Sequence, residues 1–115
     1  MIVRRRFEFE AAHRLPNHSG KCKELHGHSY KLFVKVERAV DEASGMVIDF
    51  SDLKTIVAAA VVARLDHVYV NDLIDNPTAE RMALWVWTEL KPRLSGLLEI
   101  ELQETSNCSV IYRGE

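Results

Sequence analysis

Two stretches of strict alternation near the N-terminus constrain this 115-residue chain more than anything else in it. From residue 26 onward, His26, His28, Tyr30, Leu32, Val34 and Val36 fall on one parity, with Lys31, Phe33, Lys35 and Glu37 on the other. Earlier, Val3, Phe7, Phe9, Ala11 and His13 share one face, while Arg4, Arg6, Glu8 and Glu10 share the opposite one. A period of two is that of a β-strand, and one apolar face opposite one charged face is that of a sheet covered on one side only. His26 and His28 then stand on the same face, roughly 7 Å apart along the backbone, at the mouth of an apolar core. A His-x-His pair is a weak motif alone, but antiparallel pairing of these two strands brings His13 beside it. Three neutral imidazoles suit Zn²⁺, and three protein ligands leave a position for substrate or water, the pattern of a catalytic site.

The rest of the chain supplies the cover for that sheet. Leu15 to Glu24 is rich in turn formers and without a period, so it is a loop carrying His18 and Cys22, with His18 read as solvent-exposed. The second strand is expected from about His26 to Val40, and Asp41 to Gly45 turns the chain. MVIDF resumes extended structure before Asp49 or Ser51 caps a helix. Leu53, Ile56, Val57, Ala60, Val61 and Leu65 form its buried stripe, and Ala58, Ala59, Val62 and Ala63 leave a second apolar side that calls for a neighbour. LDHVYVNDLIDN is read as a loop. Pro77 and Thr78 open a second helix with an inward stripe of Ala79, Ala83, Val86, Trp87, Leu90 and Leu94; Trp85 falls off it as a candidate interface residue. Ser95 and Gly96 end the helix. Strands at LLEIELQET and about Cys108 to Arg113 complete an α+β chain of order β-β-α-α-β-β, a four-stranded antiparallel sheet with both helices on one face.

At this length a single domain, 1–115, is expected, with enough apolar surface left over to make oligomerisation plausible. A formal charge of −2 and a pI of ≈ 6.2 argue against nucleic acid as a partner. No apolar run approaches the roughly 20 residues of a membrane span, and the N-terminus lacks the apolar core of a signal peptide. A cytoplasmic protein is expected, and Cys22 and Cys108 are read as thiols.

Three further positions carry chemistry with a plainer alternative beside each. The row Leu98, Ile100, Leu102 brings Glu104 onto the apolar face, where an ionised carboxylate needs a partner. Either the strand has ended and Glu104 is solvated, or it anchors a ligand by accepting paired N–H donors from a heterocycle. It is remote from the histidines in sequence and is read as separate from them in role. Cys22 is either an ordinary loop cysteine or the base, since a thiol near a metal cation and an imidazole readily gives thiolate. Asp66 and His67 are either a proton relay, the carboxylate fixing the imidazole tautomer, or residues that end a helix.

FEFEAAHRL, CKELHGHSY, GMVIDFSDLK, LDHVYVND, NPTAE and the closing ET dipeptide, in this order and over nearly the whole chain, resemble the 6-pyruvoyltetrahydropterin synthase family. The spacing Cys-x3-His-Gly-His is most similar to the bacterial 6-carboxy-5,6,7,8-tetrahydropterin synthase branch; pyruvoyl-forming enzymes have a longer gap before the first histidine. The resemblance implies that His13, His26 and His28 bind zinc, that Cys22 is the proton acceptor, and that Asp66 and His67 form the relay. It implies that Glu104 grips the pterin ring and joins the charge relay, with Thr78 and Glu80 as further substrate contacts. It also implies the tunnelling fold, in which sheets from several subunits join edge to edge into a barrel, with active sites between subunits of a homohexamer built as a dimer of trimers. The implied reaction is a lyase step of queuosine biosynthesis: 7,8-dihydroneopterin triphosphate gives 6-carboxy-5,6,7,8-tetrahydropterin, acetaldehyde and triphosphate, with Zn²⁺ as the only cofactor. Formation of 6-pyruvoyltetrahydropterin or simple side-chain cleavage are the alternatives on the same fold, and a non-catalytic zinc-stabilised assembly module is the alternative outside it.

Overall fold

In the computed structural model, which describes residues 1–115, β1 (Ile2–His13) and β2 (His26–Glu37) pair antiparallel along their whole length, from Ile2 opposite Glu37 to His13 opposite His26. β2 therefore stops three residues short of Val40. The chain from Met46 to Asp49 makes no strand; it bends into helix α1, which Asp49 caps by accepting from Ser51 N at 2.6 Å. α1 is α-helical over Phe50–Val57, π-helical over Ala58–Val62, and closes with the turn Ala63–Leu65. Its buried residues are Leu53, Val57, Ala60, Val61 and Leu65, whereas Ala59 and Ala63 are exposed and Ala58 and Val62 half-buried.

The expected four-stranded antiparallel sheet is corrected here to a five-stranded mixed sheet of order β3-β1-β2-β4-β5. The added strand, β3 (Val68–Tyr69), runs parallel to β1 at Ala11–Ala12. It lies in the segment read as loop because two residues are too few to show any period. His67 makes it possible. Its left-handed backbone (φ 59) turns the chain after α1, and its N–H donates to the Glu10 carbonyl, laying the next residues along β1. The order is therefore β-β-α-β-α-β-β. Helix α2 (Ala79–Leu90) is capped by Thr78, whose hydroxyl accepts from Arg81 N at 3.1 Å. Met82, Ala83, Val86 and Leu90 are its buried face, and Trp85 is half-buried beneath the Arg64 guanidinium, 4.7 Å from its ring. Both helices cover the same side of the sheet, in one core with Phe9, Tyr30, Leu32, Val34 and Leu102.

β4 (Leu97–Thr105) and β5 (Cys108–Tyr112) complete the sheet. Gly96, in the left-handed region at φ 81, leads into β4; a Cβ there would lie 2.4 Å from the Glu37 carbonyl oxygen, so only glycine fits. The apolar row of β4 is not the simple alternation expected. Lys35 pairs with Glu99 and Val36 with Leu97, so Leu98 is bulged out to a half-buried position while Leu97 takes its place in the core. The bulge seats Glu99 on the charged face, only 4% exposed, with Lys35 Nζ at 2.8 Å and Arg113 Nη2 at 2.9 Å. Lys35 first, and then Arg113, hold its carboxyl below the ordinary glutamate range despite burial.

Glu99→Gln removes that charge without removing bulk, and is expected to lower stability at pH 7 by about 1–3 kcal/mol. A depressed carboxyl pKa stabilises the fold above the unfolded-state value and ceases to do so as pH falls through the folded-state value. Urea melts at successive pH values are therefore expected to show the gap between wild type and variant closing only below the ordinary glutamate pKa. A gap independent of pH contradicts the assignment.

Candidate functional site

The β1–β2 register brings the three histidines together. His13 opposes His26, and Ala11 opposes His28, all on the core parity at the end of the sheet where β1 hands over to the loop. One ring nitrogen of each lies within 4.8 Å of the others, a group that could hold a metal ion. The rings stand edge to face, with centroids 4.6 Å apart for His13–His26, 5.1 Å for His13–His28 and 4.9 Å for His26–His28.

The hydrogen bonds behind the rings decide what the inner nitrogens can do. His13 Nδ1 lies 2.8 Å from the Pro77 carbonyl and His26 Nδ1 lies 2.7 Å from the Glu24 carbonyl. A carbonyl only accepts, so each Nδ1 carries the proton and each Nε2 keeps a lone pair. Those two Nε2 atoms face each other at 3.0 Å, and His28 Nε2 is buried with no hydrogen-bond partner. Burial is the main force holding His13 and His28 below the ordinary imidazole range, outweighing the opposing pull of Glu104 on both and of the Pro77 carbonyl on His13. Converging ring nitrogens, two with lone pairs aimed inward and a third left without a partner, are what a divalent cation requires, so these residues fit zinc.

The remaining expected site residues fall into two groups. Glu104 is with the histidines: its Oε1 is 3.7 Å from His28 Nε2 and its Oε2 is 3.9 Å from His13 Nε2. Its reading as separate from them is thereby corrected. The β4–β5 pairing is irregular between Gln103 and Thr105, and Glu104 lies at that irregularity, only a quarter exposed. Thr78 and Glu80 follow Pro77, whose carbonyl holds His13, so the start of α2 borders the site; Glu80 itself is exposed.

No hydrogen bond or ion pair connects Cys22 or the Asp66–His67 pair to the histidine cluster within this chain. Cys22 is half-buried in a short 3₁₀ turn, Lys21–Lys23, whose loop is closed by Leu15 N donating to the Cys22 carbonyl at 2.8 Å. Asp66 is at the C-terminal cap of α1 and also meets His67, Oδ1 to Nδ1, at 3.0 Å. The Glu10 backbone N–H, donating to Asp66 Oδ1 at 2.9 Å, is the main cause of the lowered Asp66 carboxyl pKa. His67 projects outward, 78% exposed, over an open groove that it lines with Glu10, Gly27, Ser29 and His28 of the cluster. His18 is exposed, its Nδ1 accepting from Gly20 N, and Cys108 is exposed at the start of β5.

Tyr30 and the Pro77 and Glu24 carbonyls were not singled out from sequence. The Tyr30 signal was available, since it shares parity with His26 and His28; fully buried, it stacks on Phe9 and lies 5.4 Å from the His28 ring. Burial chiefly, and the Glu104 charge second, push its phenol pKa above the ordinary value. Backbone carbonyls that fix imidazole tautomers leave no mark in a residue pattern.

The 6-pyruvoyl tetrahydropterin synthase family model matches residues 2–115. The chain belongs to that family. It is 41% identical to a 6-carboxy-5,6,7,8-tetrahydropterin synthase of Synechocystis over 96% of this chain and 92% of that protein. It is 38% identical to a putative 6-carboxy-5,6,7,8-tetrahydropterin synthase of Archaeoglobus fulgidus, over 93% of this chain and 90% of that one. Among solved structures, the Caenorhabditis elegans 6-pyruvoyl tetrahydropterin synthase superposes with a TM-score of 0.91 at 28% identity, covering 100% of this chain and 96% of that one. The family is that of pterin-forming lyase-type enzymes.

Purified protein is expected to take up one divalent metal ion per chain, and His26→Ala to lose it while keeping its fold. Elemental analysis after gel filtration checks this; full metal content in the variant contradicts the site.

Proposed function

We propose that this protein is a zinc-dependent 6-carboxy-5,6,7,8-tetrahydropterin synthase, converting 7,8-dihydroneopterin triphosphate into 6-carboxy-5,6,7,8-tetrahydropterin, acetaldehyde and triphosphate, as in queuosine biosynthesis. The observation that carries the proposal is the convergence of three imidazoles, two of them tautomer-fixed by backbone carbonyls, in a tetrahydropterin synthase chain. The Cys-x3-His-Gly-His spacing and the two 6-carboxy relatives favour this branch over formation of 6-pyruvoyltetrahydropterin.

Each residue then has a role set by its chemistry. His13, His26 and His28 hold the zinc, which when bound supplies Lewis acidity to the hydroxyls of the substrate side chain. Cys22 is the base that takes a proton from the side chain. Asp66 orients His67 and stabilises its charged form, so that His67 passes a proton to or from the opposite side. Glu104 accepts the ring N–H and exocyclic amino donors of the pterin, with Thr78 and Glu80 as neighbouring contacts. No redox cofactor enters, because the ring is reduced at the expense of the side chain.

Within one chain Cys22 and the Asp66–His67 pair make no direct contact with the histidine cluster, and we propose that the active site is shared between subunits. The outer edge of β1 from Ile2 to Glu10 and that of β5 carry no strand partner, and such edges invite pairing with further copies. A cytoplasmic homohexamer, two trimers whose sheets join into a barrel with each chain a single catalytic domain, satisfies both observations; no helix is long and apolar enough to cross a membrane.

Incubation with 7,8-dihydroneopterin triphosphate is expected to give 6-carboxytetrahydropterin and acetaldehyde by chromatography and mass spectrometry. Cys22→Ala is expected to keep metal while turnover falls about a hundredfold or more, the scale of losing a general base. A 6-pyruvoyl product, or no product from metal-loaded protein, contradicts the proposal. Light scattering is expected to report a hexamer; a monomer that turns over substrate contradicts the shared site.

A further inference from the structure

Glu104 is the one carboxylate in the structure aimed at the histidine cluster, and nothing else engages it. It makes no hydrogen bond, and no lysine or arginine lies within 4 Å; its only charged-group neighbours are His13 and His28. Yet it is only a quarter exposed, so it is not a solvated strand end. Its two neighbouring nitrogens are poor partners too. His13 Nε2 has no proton to give, because the proton is on Nδ1 facing Pro77, and the separations of 3.7 and 3.9 Å are too long for hydrogen bonds.

A carboxylate beside two of three converging imidazole nitrogens, with no hydrogen bond joining them, is an arrangement that a bound cation reconciles. The distances fit that reading. Metal–nitrogen and metal–oxygen bonds near 2.0–2.2 Å place adjacent ligand atoms of a tetrahedral ion about 3.4 Å apart. Each Glu104 oxygen comes near that spacing from one nitrogen, Oε1 at 3.7 Å from His28 Nε2 and Oε2 at 3.9 Å from His13 Nε2, so a small rotation of the carboxylate suffices to present one oxygen to the ion. The set is then His₃Glu, four protein donors. A site closed in this way cannot also admit substrate, unless one donor is able to leave. Glu104 is that donor: it lies at an irregularity of the β4–β5 pairing and has no bond to the rest of the protein that must break when it swings.

Resting on the zinc site proposed above, we infer that Glu104 is a resting-state fourth ligand. Its carboxylate stays on the metal until a substrate hydroxyl displaces it, and the released carboxylate then accepts the pterin N–H donors. The exchange changes no oxidation state: one metal–oxygen bond breaks and another forms. It links metal to ring recognition, because the carboxylate that recognises the pterin becomes free only when the side chain has reached the metal.

The test measures metal in the absence of turnover. Zinc affinity is read by competition with a chromophoric chelator, and geometry by the visible spectrum of the cobalt(II)-loaded protein, for wild type and Glu104→Gln, with circular dichroism as the check on folding. The variant is expected to bind zinc about ten- to a hundredfold more weakly, and its cobalt spectrum to differ from wild type. A dihydropterin bearing the hydroxylated side chain but no triphosphate is expected to shift the wild-type spectrum towards that of the variant. Wild-type affinity and an unchanged cobalt spectrum in Glu104→Gln overturn the inference; if turnover is nevertheless impaired, the pterin-anchor role stands without it. Failure of the wild-type protein to bind zinc overturns both this inference and the zinc site beneath it.

Discussion

The register of the β1–β2 pair is the constraint on which the site depends. His13 comes from one strand and His26 and His28 from the next, and they converge only because His13 stands opposite His26 and Ala11 opposite His28. A slip of one residue would turn one strand's whole apolar set outward, and its histidines with it. The core that forbids the slip is therefore also the device that positions the ligands. Phe9, Tyr30 and Leu32, each no more than 2% exposed, tie the metal-site end of the ladder to the helices. The site needs no dedicated scaffold of its own.

Register alone leaves the imidazoles free to rotate and to choose a tautomer. For His26 and His13 two backbone carbonyls remove that freedom, from Glu24 just before β2 and from Pro77 just before α2. The second of these joins regions far apart in sequence: a residue at the end of β1 is oriented by the turn that starts the second helix. Asn76, with a left-handed φ of 44, and the Thr78 cap fix that turn. Burial then favours the neutral form of His13 and His28, and the result is a cluster of ring nitrogens facing inward with a carboxylate beside two of them. Each part is commonplace; their convergence on one point is what gives them a function.

Much of this was legible because the strand period is two and both long strands keep it without interruption. Parity placed His13, His26, His28 and Tyr30 on one face, and it carried Glu104 to the apolar side of β4 in spite of a bulge before it. The bulge itself was not legible. Reading Leu98 into the core follows naturally from LLEIEL, and only the pairing of Lys35 with Glu99 and of Val36 with Leu97 shows the extra residue. β3 was hidden for another reason: two residues have no period, and their pairing with Ala11–Ala12 depends on the backbone of His67. Nor could sequence separation suggest that Glu104, 76 residues beyond His28, lies under 4 Å from it.

In the proposed centre the three histidines hold one metal ion through the nitrogens that face each other. Crystals of the protein as purified, with diffraction recorded on either side of the zinc absorption edge, test that claim most directly. One anomalous peak per chain is expected, bonded at about 2.0–2.1 Å to Nε2 of His13, His26 and His28. No peak there after zinc loading, or a metal bound elsewhere in the chain, contradicts it.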